Sequence, residues 1–454
     1  MRYFIQTLGC QMNYSDSERV CHILEALGYT VTSKGSDADL LIYNTCSIRQ
    51  KAEDRVTGHV KDWLRLKKHN PSLLIGLTGC MVRKTSTRYS DMTDDLLKKL
   101  QGLDFVFRIE DLSSLPKILR EANDSLTLPE LDTGSLKNYF DIHPKYSSKF
   151  QAYVPVMTGC DNFCTFCIVP FTRGRERSRT IDEITSEIQS LVDNGCVEIT
   201  LIGQKVNGYG LSLLDQKGDY FRKIHGHPFA KLLSEVNNIH GLKRIRFTSS
   251  YPDNMTDELI ETIGELKKVS PSIHLPIQSG DNEVLKRMNR RYTRERYIEI
   301  AEKFRSVIPE MSLSTDIIVG FCGETEDQFQ NTYRLFEELR FDMAYLSEYS
   351  PRRGTVSARF YEDDVSQKEK KRRFHVLNDL LRKISTENLK NYVSRTQEVL
   401  VESCKKGILS GRTDTFRLVH FQGDSSAIGK IVPVHITSSR EWELHGEISI
   451  ALDA

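Results

Sequence analysis

At 454 residues the chain is too long for one ordinary core, and a prior of about 150 residues per domain suggests roughly three. A hydrophobic fraction of 39% with 28% charged residues excludes collagen-like, low-complexity and wholly disordered chains, and no apolar run approaches the ~20 residues of a membrane span. Lys and Arg number 63 against 62 Asp and Glu, a net charge of +1, so any nucleic-acid partner must be held by local patches rather than by bulk charge.

The first ten residues lack the basic region, apolar stretch and cleavage site of a secretory signal, which predicts a cytoplasmic protein. Apolar runs at 3–5, 40–43 and 73–77 alternate with helical stretches at 16–27 and 52–68, a pattern that predicts a βαβαβ parallel-sheet domain. Such sheets bind ligands beyond the C-terminal ends of their strands. Each of the three runs leads there into a cysteine: Cys10, Cys46 and Cys80.

From 121 to 150 the chain turns polar without a sustained period and reads as an interdomain linker. Six strand candidates follow, at 153–157, 198–202, 244–248, 273–277, 312–319 and 343–349, most separated by helical stretches such as 180–193 and 294–307. They predict an open (β/α)6 partial barrel with room for a large substrate. After a charged helix at 367–390, period-2 strands at 398–402, 416–421, 431–436 and 442–450 stand among glycines, the signature of a small β-barrel of the oligonucleotide-binding kind. The expected organisation is thus α/β multidomain: 1–120, a linker at 121–145, a core at 146–382 and a barrel at 383–452.

The sharpest chemical signal is Cys160-Asp161-Asn162-Phe163-Cys164-Thr165-Phe166-Cys167, a CxxxCxxC in the loop after the first barrel strand. Three thiolates cover three irons of a [4Fe–4S] cube and leave the fourth open. Zinc would want a fourth protein ligand, and no second cysteine pair or nearby histidine completes one. With aromatic Phe166 before the last cysteine, the segment resembles the radical S-adenosylmethionine (SAM) enzymes. That resemblance implies that the open iron binds the amino and carboxylate groups of SAM, which is cleaved to a 5′-deoxyadenosyl radical. It also implies that Gly203 and Gln204 meet the methionine amino group, and that Ile318-Val319-Gly320, reaching to Glu324, packs near the adenine.

Cys10, Cys46 and Cys80, at equivalent strand ends, read as a second, auxiliary three-thiolate cluster. Cys21, Cys196 and Cys404 have no such partners and read as core or incidental. Two such clusters plus a C-terminal TRAM-like barrel resemble the methylthiotransferases over essentially the whole chain. Thr7-Leu8-Gly9-Cys10-Gln11-Met12-Asn13 with Asp16-Ser17-Glu18, Asn44-Thr45-Cys46-Ser47-Ile48-Arg49, 172–179, 274–280 and 288–290 match the branch that adds a methylthio group to C2 of N6-isopentenyladenosine 37 of tRNA. The rival branches act on threonylcarbamoyl-adenosine 37 or on a ribosomal-protein aspartate, and Gln11-Met12 carries the distinction. A non-catalytic iron–sulfur RNA-binding protein is the alternative of another class.

The resemblance implies tRNA as partner, two [4Fe–4S] clusters, SAM as methyl donor and radical source, and an external electron donor. One chain holds every part, so a monomer suffices. Basic runs at 173–179, 286–291 and 370–373 are candidates for holding RNA, the first more than the third, and Phe416, Phe421 and Trp442 are candidates for stacking bases. Three departures from the family pattern stand near the expected cofactor pocket: Lys205 where Asn is usual, Tyr251 where His is common, and Cys322 where Pro is usual.

Overall fold

The structure, a computed structural model, describes residues 1–46, 50–87, 100, 102–131, 139–212 and 217–449. It divides into two units. The first comprises Met1–Ser147 with Thr158–Phe163 and Cys167–Arg179; the second comprises Ser148–Met157, Cys164–Phe166 and Thr180–Ala454.

The first unit is built on a five-stranded sheet in the order Thr30–Val31, Arg2–Leu8, Leu40–Thr45, Leu74–Gly79, Phe105–Val106, with every pair parallel. Leu40–Thr45 and Leu74–Gly79 are buried along their whole lengths, which is why they read as continuous apolar runs rather than alternating ones. Helices Gln11–Ala26 and Gln50–His69 make the predicted crossovers, and Trp63 stacks on Tyr43 with ring centroids 4.0 Å apart. The two edge strands have two residues each, too few to carry a period, and sequence reasoning missed them.

Part of the polar stretch expected to be a linker is packed onto the first helix instead. Tyr139 and Ile142 are fully buried, the Tyr139 hydroxyl donates to Asp16 Oδ1 at 2.8 Å, and Ser147 donates to Glu18 from both its amide and its hydroxyl. Polar partners on the helix explain how a segment without apolar period is held in place.

In the second unit, strands Gln151–Pro155, Glu198–Ile202 and Arg244–Phe247 form one parallel sheet, and Ser272–His274, Ser312–Val319 and Met343–Glu348 another. A parallel bridge between Ile245 and Val269 joins the halves, giving the six parallel strands expected. Helices such as Ile181–Asp193 connect them; its N-terminus is fixed by Thr180, whose hydroxyl accepts from Glu183 N while the Glu183 carboxylate accepts from Thr180 N.

The C-terminal barrel closes in the order Thr396–Lys405, Ile408–Thr413, Leu418–Gln422, Glu443–Ile448, Ile431–Ser439, one strand more than expected. The missed strand follows Lys406-Gly407, a two-residue hairpin loop with φ of 54° and 79°. Gly411 interrupts its alternation because Leu400 O would stand 2.2 Å from any Cβ there. Phe421 belongs to the barrel core, whereas Phe416 and Trp442 are exposed. Phe416 is covered by the guanidinium groups of Arg246 and Arg412 at 4.9 and 4.4 Å.

This barrel sits on the N-terminal ends of the six strands. Arg244, first residue of its strand, donates to Arg412 O; Arg246 donates to Thr413 O and Asp414 O; Ser312 donates to Thr415 O. Glu198, also first in its strand, lies 3.3 Å from Arg244 and 3.0 Å from Arg246, and together with Asp414, which pairs with Arg244, it balances the two buried guanidinium charges.

Candidate metal centres and cofactor pocket

The register of the first sheet sets Leu8 opposite Thr45 and Thr45 opposite Gly79. Cys46 and Cys80 are therefore one residue past the same line and Cys10 two. The ladder continues into them, with Cys46 N donating to Leu8 O and Cys80 N to Thr45 O, both at 2.8 Å. Cys10 is at the N-cap position of helix Gln11–Ala26, and its amide donates to Asn13 Oδ1 at 3.3 Å. Asn13 Nδ2 in turn donates to Asn44 Oδ1 at 3.0 Å, and Asn44 Nδ2 to Asn13 O and Ser17 Oγ. This buried amide pair locks the helix that starts at Cys10 to the strand that ends before Cys46.

Gly79 occupies φ +94°, and a Cβ there would stand 2.4 Å from Thr45 O. Gly79→Ala is expected to destabilise the chain by about 1–3 kcal/mol and to lower the iron bound at Cys80; urea denaturation and iron analysis check both.

Arg173 lies beside this edge. It is 2% exposed and pairs bidentately with Asp16, itself 0% exposed, at 2.5 and 3.3 Å. Desolvation pushes the Cys10 thiol pKa up, and the Arg173 charge opposes that shift. In the run 173–179, expected to hold RNA, Arg177 pairs with Glu110 and Arg179 lies over the Phe140 ring, while Arg175 pairs with Asp161 but stays exposed. In the third run Lys370 and Arg373 are buried, paired with Asp363 and Glu324.

In the CxxxCxxC loop, Gly159 has φ +82° and no room for a Cβ beside Arg175 O, and Cys160 N donates to Gly174 O at 3.2 Å. In the second unit, Cys164 is 9% exposed and its Sγ accepts from Arg290 Nη1 at 3.3 Å. Thr165 anchors its stretch to Arg287 O and Met288 O, and Phe166 meets Phe321 edge to face at 6.5 Å.

Gly203 follows strand Glu198–Ile202, where a Cβ would stand 2.6 Å from Met157 Cγ. The neighbouring Gln204 holds its Oε1 buried with no donor, an acceptor suited to an ammonium group. Gly320 ends strand Ser312–Val319 at φ +68°. Glu324, read from sequence as a cofactor contact, is committed elsewhere: it accepts from Gly320 N at 3.1 Å and from Arg373 Nη1 at 2.8 Å. It holds the turn. Cys322 is buried against Phe321 and Tyr349, and burial pushes its thiol pKa up, which marks packing rather than reactivity. Cys196 is buried, its thiol pushed up to about 12. Among the residues missed by sequence reasoning are Arg290, read as an RNA contact, and the Asn13–Asn44 pair.

Among the described residues no three His, Cys, Asp or Glu side chains are placed to share one metal ion. In a cubane each thiolate takes its own iron, and two sets of three soft thiolate donors suit two such clusters. The donor set fits the cubane.

Residues 154–336 match the radical SAM superfamily, 2–107 the uncharacterized protein family UPF0004, and 390–449 the TRAM domain. The fold is similar to that of TsrM, a radical S-adenosylmethionine methyltransferase from Kitasatospora setae, with a TM-score of 0.52, 13% identity, and 76% of this chain and 73% of that one covered. The protein is a radical SAM enzyme carrying a TRAM domain. It is 43% identical to the tRNA-2-methylthio-N(6)-dimethylallyladenosine synthase of Thermoanaerobacter pseudethanolicus over 98% of this chain and 92% of that one. Identity to the Dictyoglomus thermophilum synthase is 42% over 100% and 99%. The chain belongs to that synthase family.

Proposed function

We propose that the protein adds a methylthio group to C2 of N6-isopentenyladenosine at position 37 of tRNA, in the cytoplasm and as a monomer served by an external electron donor. The observation that carries this reading is the sheet register, which sets Cys10, Cys46 and Cys80 on one edge, in a chain that also holds the CxxxCxxC loop and whose relatives are named for this product.

C2 of adenine bears an unactivated aromatic hydrogen that no side-chain base removes. SAM and two [4Fe–4S] clusters, when bound, supply the radical and the methylthio group that polar catalysis lacks. Cys160, Cys164 and Cys167 hold the first cluster, and Cys10, Cys46 and Cys80 the auxiliary one. Gln204 Oε1 accepts from the methionyl ammonium, Gly203 and Gly320 let the backbone approach, Phe166 and Phe321 exclude water, and Glu324 positions Gly320. Residues 1–120 carry the auxiliary site, 146–382 the radical chemistry and 383–452 the TRAM barrel. Because that barrel sits on the N-terminal ends of the strands, whereas active sites of such folds lie at the C-terminal ends, it grips RNA away from the target base.

Bulk tRNA from cells lacking methylthiolation, incubated anaerobically with reconstituted protein, SAM and a reductant, is expected to gain 2-methylthio-N6-isopentenyladenosine by nucleoside mass spectrometry. A methylthio group on threonylcarbamoyl-adenosine instead would overturn the substrate assignment.

A further inference from the structure

Arg290 is placed by the end of a short helix. After Asn282–Arg287 the chain turns through Asn289 at φ 57°, with Asn289 N donating to Lys286 O and Arg290 N to Leu285 O, a left-handed cap that asparagine tolerates. The turn sends the Arg290 side chain inward. There its Nε donates to Tyr292 Oη at 2.7 Å, Nη2 to Pro276 O at 2.8 Å and Nη1 to Cys164 Sγ at 3.3 Å.

The guanidinium also lies over the rings of Tyr251 and Tyr292, at 4.9 and 5.2 Å, and both tyrosines are 5% exposed. Its partners are thus a carbonyl, a phenol, two ring faces and a sulfur; among the described residues no carboxylate pairs with it. Four buried arginines each have an acidic partner: Arg173 has Asp16, Arg244 and Arg246 share Glu198, and Arg373 has Glu324. A withdrawn cation with no counter-charge is costly. The neighbour able to supply one is Cys164, as a thiolate bound to iron.

We propose that Arg290, cradled by Tyr251 and Tyr292, is a positioning residue that raises the reduction potential of the cluster held by Cys164. This rests on the reading of Cys160, Cys164 and Cys167 as cluster ligands. One electron from an external reductant enters the cluster and adds one negative charge, no bond is made or broken, and the guanidinium keeps its proton. A fixed cation hydrogen-bonded to the ligand sulfur favours that reduced state. Tyr251, one of the three departures noted in the sequence, forms one wall of the cradle.

The test uses the full chain with Cys10, Cys46 and Cys80 replaced by alanine, so that one cluster remains, and follows its reduction by EPR during a dithionite titration. Arg290→Gln is expected to keep the iron content and to lower the reduced-to-oxidised ratio at least tenfold, a midpoint about 59 mV more negative for one electron. Arg290→Lys, which keeps the charge but not the fork, is expected to shift measurably in the same direction, by less than half of that. Equal potentials in the parent and Arg290→Gln would overturn the inference alone. A parent that takes up no cluster with Arg290 intact would overturn the ligand reading and the inference with it. Should circular dichroism show Arg290→Gln unfolded, Arg290→Lys decides: a midpoint unchanged from the parent overturns the proposal.

Discussion

Replacing Cys10, Cys46 and Cys80 together by alanine is expected to abolish methylthio transfer while SAM cleavage continues within a few-fold of the parent rate. Cys164→Ala is expected to abolish both. The asymmetry follows from placement. The first three cysteines end strands of the N-terminal sheet, where the Leu8, Thr45 and Gly79 register aligns them, whereas Cys164 is held by Arg290 and its neighbour Thr165 by Arg287. Loss of the strand-end thiols leaves the hydrogen bonds of Cys164 and Thr165 in place. Iron analysis, 5′-deoxyadenosine release and nucleoside mass spectrometry on the same samples separate the outcomes. Cleavage lost in the triple variant would mean that the two sets do not act separately, and an intact product yield would remove the auxiliary site from the reaction.

Asp16→Ala is expected to destabilise the chain by about 3–5 kcal/mol, because it strands the Arg173 guanidinium in the interior without a counter-ion. Asp16 is 0% and Arg173 2% exposed, so water cannot replace the lost carboxylate. The Tyr139 hydroxyl loses its acceptor in the same substitution, and Arg19, which lies 4.7 Å above the Tyr139 ring, adds a second cation to the region. Asp16→Asn, which keeps an acceptor for Tyr139 but not the charge, is expected to fall between. Replacing Asp16 and Arg173 together, by leucine and methionine, is expected to recover more than half of the loss, since no unpaired charge is then left. Urea denaturation of the four proteins measures this; an Asp16→Ala cost below 1 kcal/mol would show that the pair contributes little.

The parts most legible in the sequence were those written in local spacing. Cys160, Cys164 and Cys167 stand within eight residues, and cluster chemistry requires little beyond that spacing. The βαβαβ pattern was legible because two strands are buried throughout and read as continuous apolar runs; this was enough to send Cys10, Cys46 and Cys80 to one edge. Gln204 was named from resemblance, and its buried, donorless Oε1 supplies a physical reason that spacing could not.

What spacing does not encode is the partner a charge finds across the fold. The arginines of 173–179 form a basic run on paper, yet Asp16, Glu110 and Asp161 take three of them, and these acids are as much as 157 residues away in the chain. Glu324 looked like a ligand contact, yet Gly320 N and Arg373 both donate to its Oε1. Arg290 looked like a phosphate contact until a left-handed Asn289 turned it toward Cys164. The seat of the TRAM barrel on the N-terminal strand ends rests on carbonyls of 412–415, backbone groups that every sequence possesses alike. Composition and period thus determined the fold class, and cysteine spacing the CxxxCxxC motif, because each is a property of neighbours along the chain, while the family came from resemblance to longer motifs. Tertiary structure alone decided which charges are neutralised inside and which face a ligand, because a buried charge selects its partner by distance in space.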